Sequence, residues 1–510
     1  MKKAFILLAL TVVMFPMFAQ KNMNWQKIDS PKDDYVFKYF YQYTNDVYKA
    51  IFTIPNVKPF QPIKNQIFIR TFNSDLSKFQ EEGIPSESPY EVSITGFYNY
   101  TVFYGSTDEN KNPMMQYREP NKLVIADAKL NPLIQETYAV HGKRQKFAGT
   151  PRAYKSLDST HLIVINTIIK SPDKPSLKES PRMDYITIYD KDLKVVWNDS
   201  IDYETIFGVG IPLNNCDVNY VNNKLYIIAS HRTIPTKKLK ASLYVVRYDS
   251  PQSYKVIYKE IMPNDQFSFA CLKSKDAQFV ISGINQVPNS TSKKQLFFIS
   301  MDLQNLGNDP IVKKYPIDKV FLARYPEYKA ILLPYISYPS DLILVNDGIL
   351  YCSEYHLEVT RTTNSSSSTT YYNKALTFIK FDMDGKIEWI KMIEKYTASK
   401  TAYYEYFSQA YLSDGKVVVF YYDYLDNIYK DKYKGKFLSF ILDSKMCLAQ
   451  AIIDGDGTIH KSLIYNIGEN GTRANLNRMR QIDNSRFFLC GSGINMKTRG
   501  DFATIYDLKE

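Results

Sequence analysis

One short pattern returns along the whole chain, and it constrains the fold more than any other feature of the sequence. Apolar residues alternate with other residues and the segment ends in an Asp or Asn, as in Tyr185 to Asp190 (YITIYD). Alternation is typical of a half-buried β-strand, and an Asx side chain closes the turn that follows by accepting hydrogen bonds from nearby backbone N–H groups. Eight copies occur, 53 to 80 residues apart, and they end at Asn73, Asp127, Asp190, Asp249, Asp302, Asp382, Asp443 and Asp507.

A second set of turn residues precedes most copies. These pairs are Asn45-Asp46, Asp158-Ser159, Asn222-Asn223, Asp347-Gly348, Asp414-Gly415 and Asp483-Asn484. Each repeat therefore predicts four strands, A to D, with tight A–B and C–D turns. Four-stranded repeats of this period favour an all-β β-propeller, whose antiparallel blades are stabilised by packing on their neighbours. Eight blades are favoured, with seven as the alternative if the segment from Tyr35 to Glu82 is irregular.

The N-terminus has the order of a signal peptide. Lys2 and Lys3 precede an apolar run from Ala4 to Phe18, and Ala19 is the expected cleavage residue. The run is shorter than the ~20 residues that span a bilayer. No cysteine follows it before Cys216, so no lipid anchor is expected. The sequence predicts a signal peptide at residues 1–19 and export to the periplasm or the medium, with no membrane span.

Residues 20–510 are expected to form a single β-propeller domain. The last copy ends at Asp507, after its third strand and just before the C-terminus. The missing fourth strand can come from Met23 to Ile28, so pairing of the N- and C-terminal strands would close the ring. Length agrees, because about 490 residues are too many for one ordinary core and suit a repeat array.

The repeat resembles that of β-propeller proteins exported by bacteria, and the resemblance covers the whole mature chain without singling out a family. The stretch from Phe381 to Trp389 (FDMDGKIEW) is similar to the blade turns of quinoprotein-type propellers. It occurs in one copy of eight, so the resemblance does not extend to a quinone, and no cofactor is expected. The resemblance implies architecture alone, because propellers host unrelated functions.

Composition agrees with a strand-rich exported chain. The aromatic share is 15%, with 42 Tyr and 29 Phe, and these residues favour strands. The five cysteines form an odd, widely spaced set, which is not a disulfide framework: Cys216, Cys271, Cys352, Cys447 and Cys490. Each lies in or beside an apolar strand-like segment, which predicts buried free thiols.

The lengths of the connections select one face of the predicted propeller. A–B and C–D turns share one face, and they are mostly two to four residues long here. B–C and D–A connections share the other face, and several B–C connections are long, as in the segments that begin at Ser106, Lys170, His231 and His356. Binding sites usually lie on loops held by a rigid scaffold, so the long-loop face is the predicted functional face.

The long-loop face is also predicted to be basic. The chain carries a net charge of +11, or +9 without Lys2 and Lys3, and the predicted B–C connections alone account for about +12. A face of one sign attracts partners of the other sign, and tyrosines stack on sugar rings. The predicted ligand-binding residues are Lys143, Arg144, His231, Arg232, Lys237, Lys238, Lys240, His356, Arg361, Tyr371 and Tyr372.

These features favour a non-enzymatic binding or scaffold protein that holds an anionic glycan or an acidic protein. Nucleic acid is not expected as a partner of an exported chain. The alternative is a propeller enzyme acting on a polysaccharide, with Asp217, Glu354 or Asp423 near the central channel. That alternative predicts clustered carboxylates with raised pKa. A structural subunit of an envelope assembly would instead expose a large apolar patch.

Motifs for metal or nucleophilic chemistry are missing from the sequence. Five histidines occur without an HExxH pair, so no metal site and no catalytic residue are predicted. The Asp-rich turns at Asp382 and Asp454 lack the spacing of a calcium loop and predict hairpin turns. Two further segments have local interpretations: Asp318 to Asp341 predicts a short helix over the loops, and Ser365 to Thr370 predicts a mobile loop tip.

Overall fold

The protein is all-β. The computed structural model describes residues 26–27, 36–44, 47–53, 67–73, 76, 79–84, 93–97, 100–106, 121–127, 132–138, 146–147, 152–156, 160–169, 182–207, 210–233, 241–262, 268–273, 278–286, 294–302, 309–326, 337–345, 347–362, 367–399, 409–428, 446–476, 479–493 and 501–508. These residues form 34 strands and four short helices. Alternating Val, Ile, Tyr and Phe explain the strands, since such side chains pack well on a pleated surface.

The strands form eight antiparallel sheets in chain order, and the first strand, β1 (Gln26–Lys27), belongs to the last of them. Sheet 1 comprises β2 (Val36–Thr44), β3 (Val47–Thr53), β4 (Ile67–Phe72) and β5 (Phe79–Ile84). Sheet 2 comprises β6 (Ser93–Phe97), β7 (Tyr100–Ser106), β8 (Asn121–Ala126) and β9 (Pro132–Tyr138). Sheet 3 comprises β10 (Lys146–Phe147), β11 (Arg152–Lys155), β12 (Leu162–Ile169), β13 (Arg182–Tyr189) and β14 (Val195–Asp202). Sheet 4 follows helix α1 (Tyr203–Phe207) and comprises β15 (Gly210–Val221), β16 (Lys224–Thr233), β17 (Ala241–Ser250) and β18 (Ser253–Met262).

The second half of the chain continues the same order. Sheet 5 comprises β19 (Ser268–Lys273), β20 (Gln278–Gln286), β21 (Lys294–Asp302) and β22 (Ile311–Pro316). Sheet 6 follows helix α2 (Lys319–Arg324) and comprises β23 (Ser337–Val345), β24 (Gly348–Thr362), β25 (Ser367–Phe381) and β26 (Ile387–Ser399). Sheet 7 comprises β27 (Gln409–Ser413), β28 (Lys416–Tyr424), β29 (Met446–Ile453) and β30 (Ile459–Asn466), with helix α3 (Leu425–Ile428) after β28. Sheet 8 follows helix α4 (Ile467–Asn470) and comprises β31 (Thr472–Ala474), β32 (Arg480–Gln481), β33 (Arg486–Gly493), β34 (Asp501–Asp507) and β1.

Strands that follow one another pair side by side in a meander, except that two short strands share the first position in sheets 3 and 8: β10 and β11 both pair with β12, and β31 and β32 both pair with β33. Antiparallel order places the first–second and third–fourth turns at one end of the sheet, here the turn end, and the second–third connection at the other, here the loop end. In sheet 8 the fourth position is taken by β1, where Gln26 lies opposite Ala503 and Lys27 opposite Phe502.

Apolar side chains fill the spaces between consecutive sheets. Buried clusters join sheets 2 and 3, 3 and 4, 4 and 5, 5 and 6, 6 and 7, and 7 and 8. Another cluster joins sheet 8 to sheet 1 through residues such as Phe488 and Phe52, and β2 of sheet 1 lies beside β6 of sheet 2. Packing thus runs from each sheet to the next and back to the first, as a repeat array requires.

The turn residues act as the sequence indicates. The Asp382 side chain accepts hydrogen bonds from the N–H groups of Asp384 (3.1 Å) and Lys386 (2.7 Å). Asn222 and Asn223 both have positive φ, 52° and 59°, which is the backbone of a two-residue type I′ hairpin turn.

Hydrogen bonds at the turn end join neighbouring sheets. The Tyr315 hydroxyl of sheet 5 donates to Gly385 O of sheet 6 (2.7 Å), and Trp389 Nε1 of sheet 6 donates to Gly455 O of sheet 7 (3.1 Å). Gln252 N of sheet 4 donates to Asp199 Oδ2 of sheet 3 (2.7 Å). These bonds place the turn ends of neighbouring sheets side by side.

Two sequence-based assignments are wrong. The third strand of sheet 7 is β29, which ends before Asp454, and not the similarly apolar segment before Asp443, which lies outside the described residues. In sheet 6, β24 extends to Thr362 and β25 begins at Ser367, whereas a long loop beginning at His356 was predicted. Threonines favour strands, so Thr369 and Thr370 pair in β25 instead of forming a loop tip.

Other local expectations agree with the structure. Helix α2 begins after Asp318, whose side chain accepts a hydrogen bond from Phe321 N (2.9 Å). Cys352, Cys447 and Cys490 are buried free thiols, and Cys216 and Cys271 lie in β15 and β19. In the described part of the chain, no helix is both long and apolar enough to cross a membrane.

Candidate functional site

The loop end carries the positive charge of the chain. The eight second–third connections are residues 54–66, 107–120, 170–181, 234–240, 287–293, 363–366, 425–445 and 494–500. They contain eighteen Lys and Arg residues against eight Asp and Glu, a net charge of +10. The sheet-to-sheet connections leave from the same end and sum to −4, so this end keeps a clear positive excess.

The turn end has the opposite sign. Its first–second and third–fourth turns contain fifteen Asp residues against six Lys, a net charge of −9. Asp and Asn are the residues that these tight turns need, so the acidic end is a consequence of turn chemistry. The fold therefore separates charge between two ends of each sheet.

The predicted ligand-binding residues differ in how much of them the structure describes. Arg361 is exposed near the end of β24, and Tyr372 is half-buried in β25, opposite Leu357. The backbones of His231 and Arg232 lie in β16, that of His356 in β24 and that of Tyr371 in β25. Lys143, Arg144, Lys237, Lys238 and Lys240 lie outside the described residues. The structure thus brings Arg361 and Tyr372 onto one hairpin at the loop end.

This hairpin projects from sheet 6 as a two-stranded arm, made of residues 359–362 of β24 and 367–370 of β25. Pairing with β23 stops at Tyr355, whereas pairing between β24 and β25 continues to Thr362 opposite Ser367. The register shifts at its base, between Tyr355 and His356 and between Asn373 and Ala375. Bulges bend a ribbon, so the arm leaves the sheet at a changed angle.

Charged side chains lie buried beneath the arm. Lys395 Nζ of β26 forms an ion pair with Glu354 Oε1 of β24, and both side chains are almost completely buried. Leu350, Cys352 and Ile393 of the same strands pack between sheets 6 and 7, so strand alternation directs Glu354 and Lys395 into that space.

A second carboxylate faces the same space from sheet 7. Asp423 of β28 is buried and accepts hydrogen bonds from Asn427 Nδ2 of α3 and from Tyr424 N, both at 2.8 Å. Burial raises the pKa of the neighbouring Tyr421 hydroxyl, and the charges of Asp423 and Cys447 raise it further. Burial is also the main cause of the raised pKa of the Cys447 thiol.

Two of the three carboxylates named from the sequence lie on strand faces directed between sheets 6 and 7, namely Glu354 and Asp423, whereas Asp217 lies in β15 of sheet 4. Glu354 pairs with Lys395, and Asp423 accepts two hydrogen bonds, so each carboxyl group has partners within its own sheet or the helix that follows it. Among the described residues, no group of three His, Cys, Asp or Glu could hold a metal ion.

Sequence reasoning missed a cleft at the turn end between sheets 6 and 7. Its volume is about 220 Å³, and its lining residues are Val345, Asp347, Leu350, Lys380, Trp389, Gly415, Val417, Ile453, Asp454 and Gly455. Leu350, Lys380 and Trp389 are cross-strand neighbours in sheet 6, and Val417 lies opposite Ile453 in sheet 7. The cleft therefore has walls from both sheets.

Lys380 is the buried charge of this cleft. Its ammonium group contacts Asp347 Oδ1 at 2.6 Å and Glu388 Oε2 at 2.9 Å, and donates to Gly455 O at 3.4 Å. Burial would lower the pKa of Lys380, but its two carboxylate partners raise it. Asp454 contacts Lys416 Nζ at 2.9 Å and His460 Nε2 at 3.1 Å.

No protein-family model and no curated protein matches the chain. Among solved structures, the acylaminoacyl peptidase of Pyrococcus horikoshii is 10% identical with a TM-score of 0.32; the match covers 77% of this chain and 57% of the peptidase. A mutant apocarotenoid oxygenase of Synechocystis is 11% identical with a TM-score of 0.32, and the match covers 72% of this chain and 80% of the oxygenase. The α-L-arabinofuranosidase of Fusarium graminearum is 12% identical with a TM-score of 0.29, and the match covers 71% of this chain and 93% of the arabinofuranosidase.

The eight meander sheets themselves define the class: this is an all-β protein with a β-propeller-like fold. The solved structures that it resembles do not place it in a family.

Proposed function

We propose that this protein is an exported eight-bladed β-propeller, closed by β1 in sheet 8, that binds an anionic glycan or an acidic protein at its loop end without catalysing a reaction. Each sheet would be one blade. The apolar run at Ala4 to Phe18 supports export to the periplasm or the medium.

The observation that carries this proposal is the separation of charge. A net charge of +10 in the loop-end connections and −9 in the turns gives the molecule a strong charge asymmetry. A surface of one sign raises the local concentration and the association rate of oppositely charged partners, and salt weakens the effect. A long anionic chain can contact several connections at once, which supports a polyanion over a small anion.

The direct test is binding of heparin and polygalacturonate to the mature protein at low and high salt, with neutral dextran as the ligand control. In the test variant, Arg232, Lys237, Lys238 and Lys240 are changed to Ala. In the matched control, Lys191, Lys194, Lys255 and Lys386 are changed to Ala, because these exposed lysines lie at or near the turn end.

We expect salt-sensitive binding that weakens about tenfold or more in the loop-end variant and little in the control. An acidic protein as the partner would appear as binding to polyglutamate with neither polysaccharide bound. Equal losses in the two variants, or no binding to any polyanion, would refute the proposal.

The alternative function is an enzyme acting on a polysaccharide. The shared burial of Glu354 and Asp423 between sheets 6 and 7 is the observation in its favour, because paired carboxylates can serve as acid and base. The described carboxylates whose pKa shifts lie in or beside turns and all have a lowered pKa, namely Asp249, Asp347, Asp454, Asp456 and Asp483. A catalytic acid needs a raised pKa, so these five are not candidates for that role.

A further inference from the structure

The cleft between sheets 6 and 7 lies at the acidic turn end, away from the proposed polyanion site, and its chemistry selects a different ligand. Val345, Leu350, Val417 and Ile453 give it aliphatic walls, and Trp389 adds an aromatic one. Asp347 and Asp454 are its acidic lining residues.

The side-chain donors of Lys380 and Trp389 in the cleft are already engaged in hydrogen bonds or ion pairs. The Lys380 ammonium group is occupied by Asp347, Glu388 and Gly455 O, and the Trp389 N–H is donated to the same carbonyl. A ligand that must accept hydrogen bonds, such as a carboxylate or a phosphate, therefore finds no partner among these side chains.

Acceptors are available in the same place. Asp347 contacts Lys380 through Oδ1, and its side chain is 69% exposed, so the carboxylate group is accessible to a ligand. Glu388 likewise uses Oε2 for Lys380 and is 36% exposed. The hydrogen bond from Lys380 lowers the pKa of Asp347, which keeps this carboxylate charged. The cleft thus offers anionic acceptors at its mouth.

Aliphatic walls behind an anionic mouth match one kind of ligand. The methylene stem of a lysine or arginine packs on apolar surface while its cationic head stays at the polar rim. An indole beside the cation adds to the attraction. The net charge of −9 summed over all the turns of this end favours the approach of a cation.

We propose that this cleft is a binding site for a lysine or arginine side chain presented by a protein partner. The aliphatic stem lies between Leu350 and Val417, and the cationic head lies at the free oxygens of Asp347 and Glu388. The site is independent of the loop end, so the protein can engage an anionic partner and a basic partner at opposite ends.

The test uses N-acetyl-L-lysine methylamide as the probe and N-acetyl-L-norleucine methylamide, which has a similar apolar stem without the ammonium group, as the ligand control. Binding is followed by calorimetry and by tryptophan fluorescence. Val345→Phe fills the cleft and leaves every charge in place. Asp347→Asn removes one acceptor charge while Glu388 keeps Lys380 paired. Asp192→Asn is the matched control, since Asp192 is an exposed turn residue of sheet 3.

We expect the lysine probe to bind more tightly than the norleucine probe by about tenfold or more, as a charge-assisted hydrogen bond provides. Both cleft variants should lose about tenfold in affinity while keeping the circular dichroism spectrum of the folded protein, and Asp192→Asn should bind normally. Equal affinity for the two probes, or unchanged binding in Asp347→Asn when it is folded, would overturn the proposal. If Val345→Phe fails to fold, Asp347→Asn decides alone.

Discussion

At the residue scale, the fold buries charged side chains that lie within its strands. Arg70 pairs with Glu81 at 2.7 Å, and Lys380 pairs with Asp347 and Glu388. A buried charge is tolerated when it is paired and hydrogen-bonded, and removing one partner is costly. A signal was present: Arg70 and Lys380 lie three and two residues before the Asn or Asp that ends their repeat. One sequence does not reveal which acid each will meet.

Asp483 gives a prediction about pH. Burial is the largest single influence and raises its pKa, but the hydrogen bonds from Ser485 N and Arg486, together with the Arg486 charge, outweigh burial and lower the pKa from 3.8 to about 2. A carboxyl group with a lowered folded-state pKa stabilises the protein above its unfolded pKa, and this contribution disappears as the pH falls from about 4 to 2. The group is substantially exposed, so the effect is small, within about 0.5 kcal/mol.

We therefore expect Asp483→Asn to lower the melting temperature at pH 7 by a small amount. The decrease in melting temperature between pH 5 and pH 3 should also be smaller in this variant than in the unaltered protein, as measured by circular dichroism. Asp192→Asn, in which an exposed carboxyl without an ion pair in the described structure is lost, is the control. A pH dependence in Asp483→Asn that matches the unaltered protein would contradict this role.

At the element scale, two hairpin turns pack closely against an aromatic ring of the preceding sheet. A Cβ atom on Gly385 would lie 2.3 Å from a ring carbon of Phe298 in sheet 5, and one on Gly457 would lie 2.9 Å from the Trp389 ring in sheet 6. Trp389 also bonds to Gly455 O, so FDMDGKIEW is a docking element between sheets. This explains the motif without a cofactor.

Two glycines of one turn provide a matched comparison. Gly457 has φ of +83° and faces Trp389, whereas Gly455 has open space around the position of a Cβ. We expect Gly457→Ala to lower the free energy of unfolding by about 1–3 kcal/mol, and Gly455→Ala to change it by less than about 0.5 kcal/mol. Urea unfolding measures both. Equal effects of the two substitutions would show that the indole contact does not constrain the turn.

At the scale of the whole molecule, two properties depend on how all eight sheets pack in sequence. The packing of sheet 8 on sheet 1, together with the pairing of β1 with β34, makes the ends of the chain interdependent. The common order of strands places the eight second–third connections, with their net charge of +10, at one end and the acidic turns at the other. Neither property belongs to any single sheet.

The pairing of β1 predicts an effect of truncation. A chain that begins at Ile28 lacks the fourth strand of sheet 8, whereas a chain that begins at Gln26 retains it. We expect the shorter chain to unfold with a free energy lower by about 1–2 kcal/mol, since a few hydrogen bonds of the strand are lost. Urea unfolding of the two chains tests this, and identical midpoints would mean that β1 does not contribute to closure.

The sequence by itself determined the strands, their hairpin turns and the sign of charge in each connection, because alternation, Asx turns and ionisable groups act over a few residues. It misplaced the third strand of sheet 7, because the segment before Asp443 has the same apolar alternation as β29. Only the tertiary structure decided which side chains come together: Lys380 with Asp347 and Glu388 within sheet 6, Glu354 with Lys395, and the walls of the cleft from sheets 6 and 7. Most of these residues lie tens of positions apart in the sequence, and their geometry depends on how strands and sheets pack.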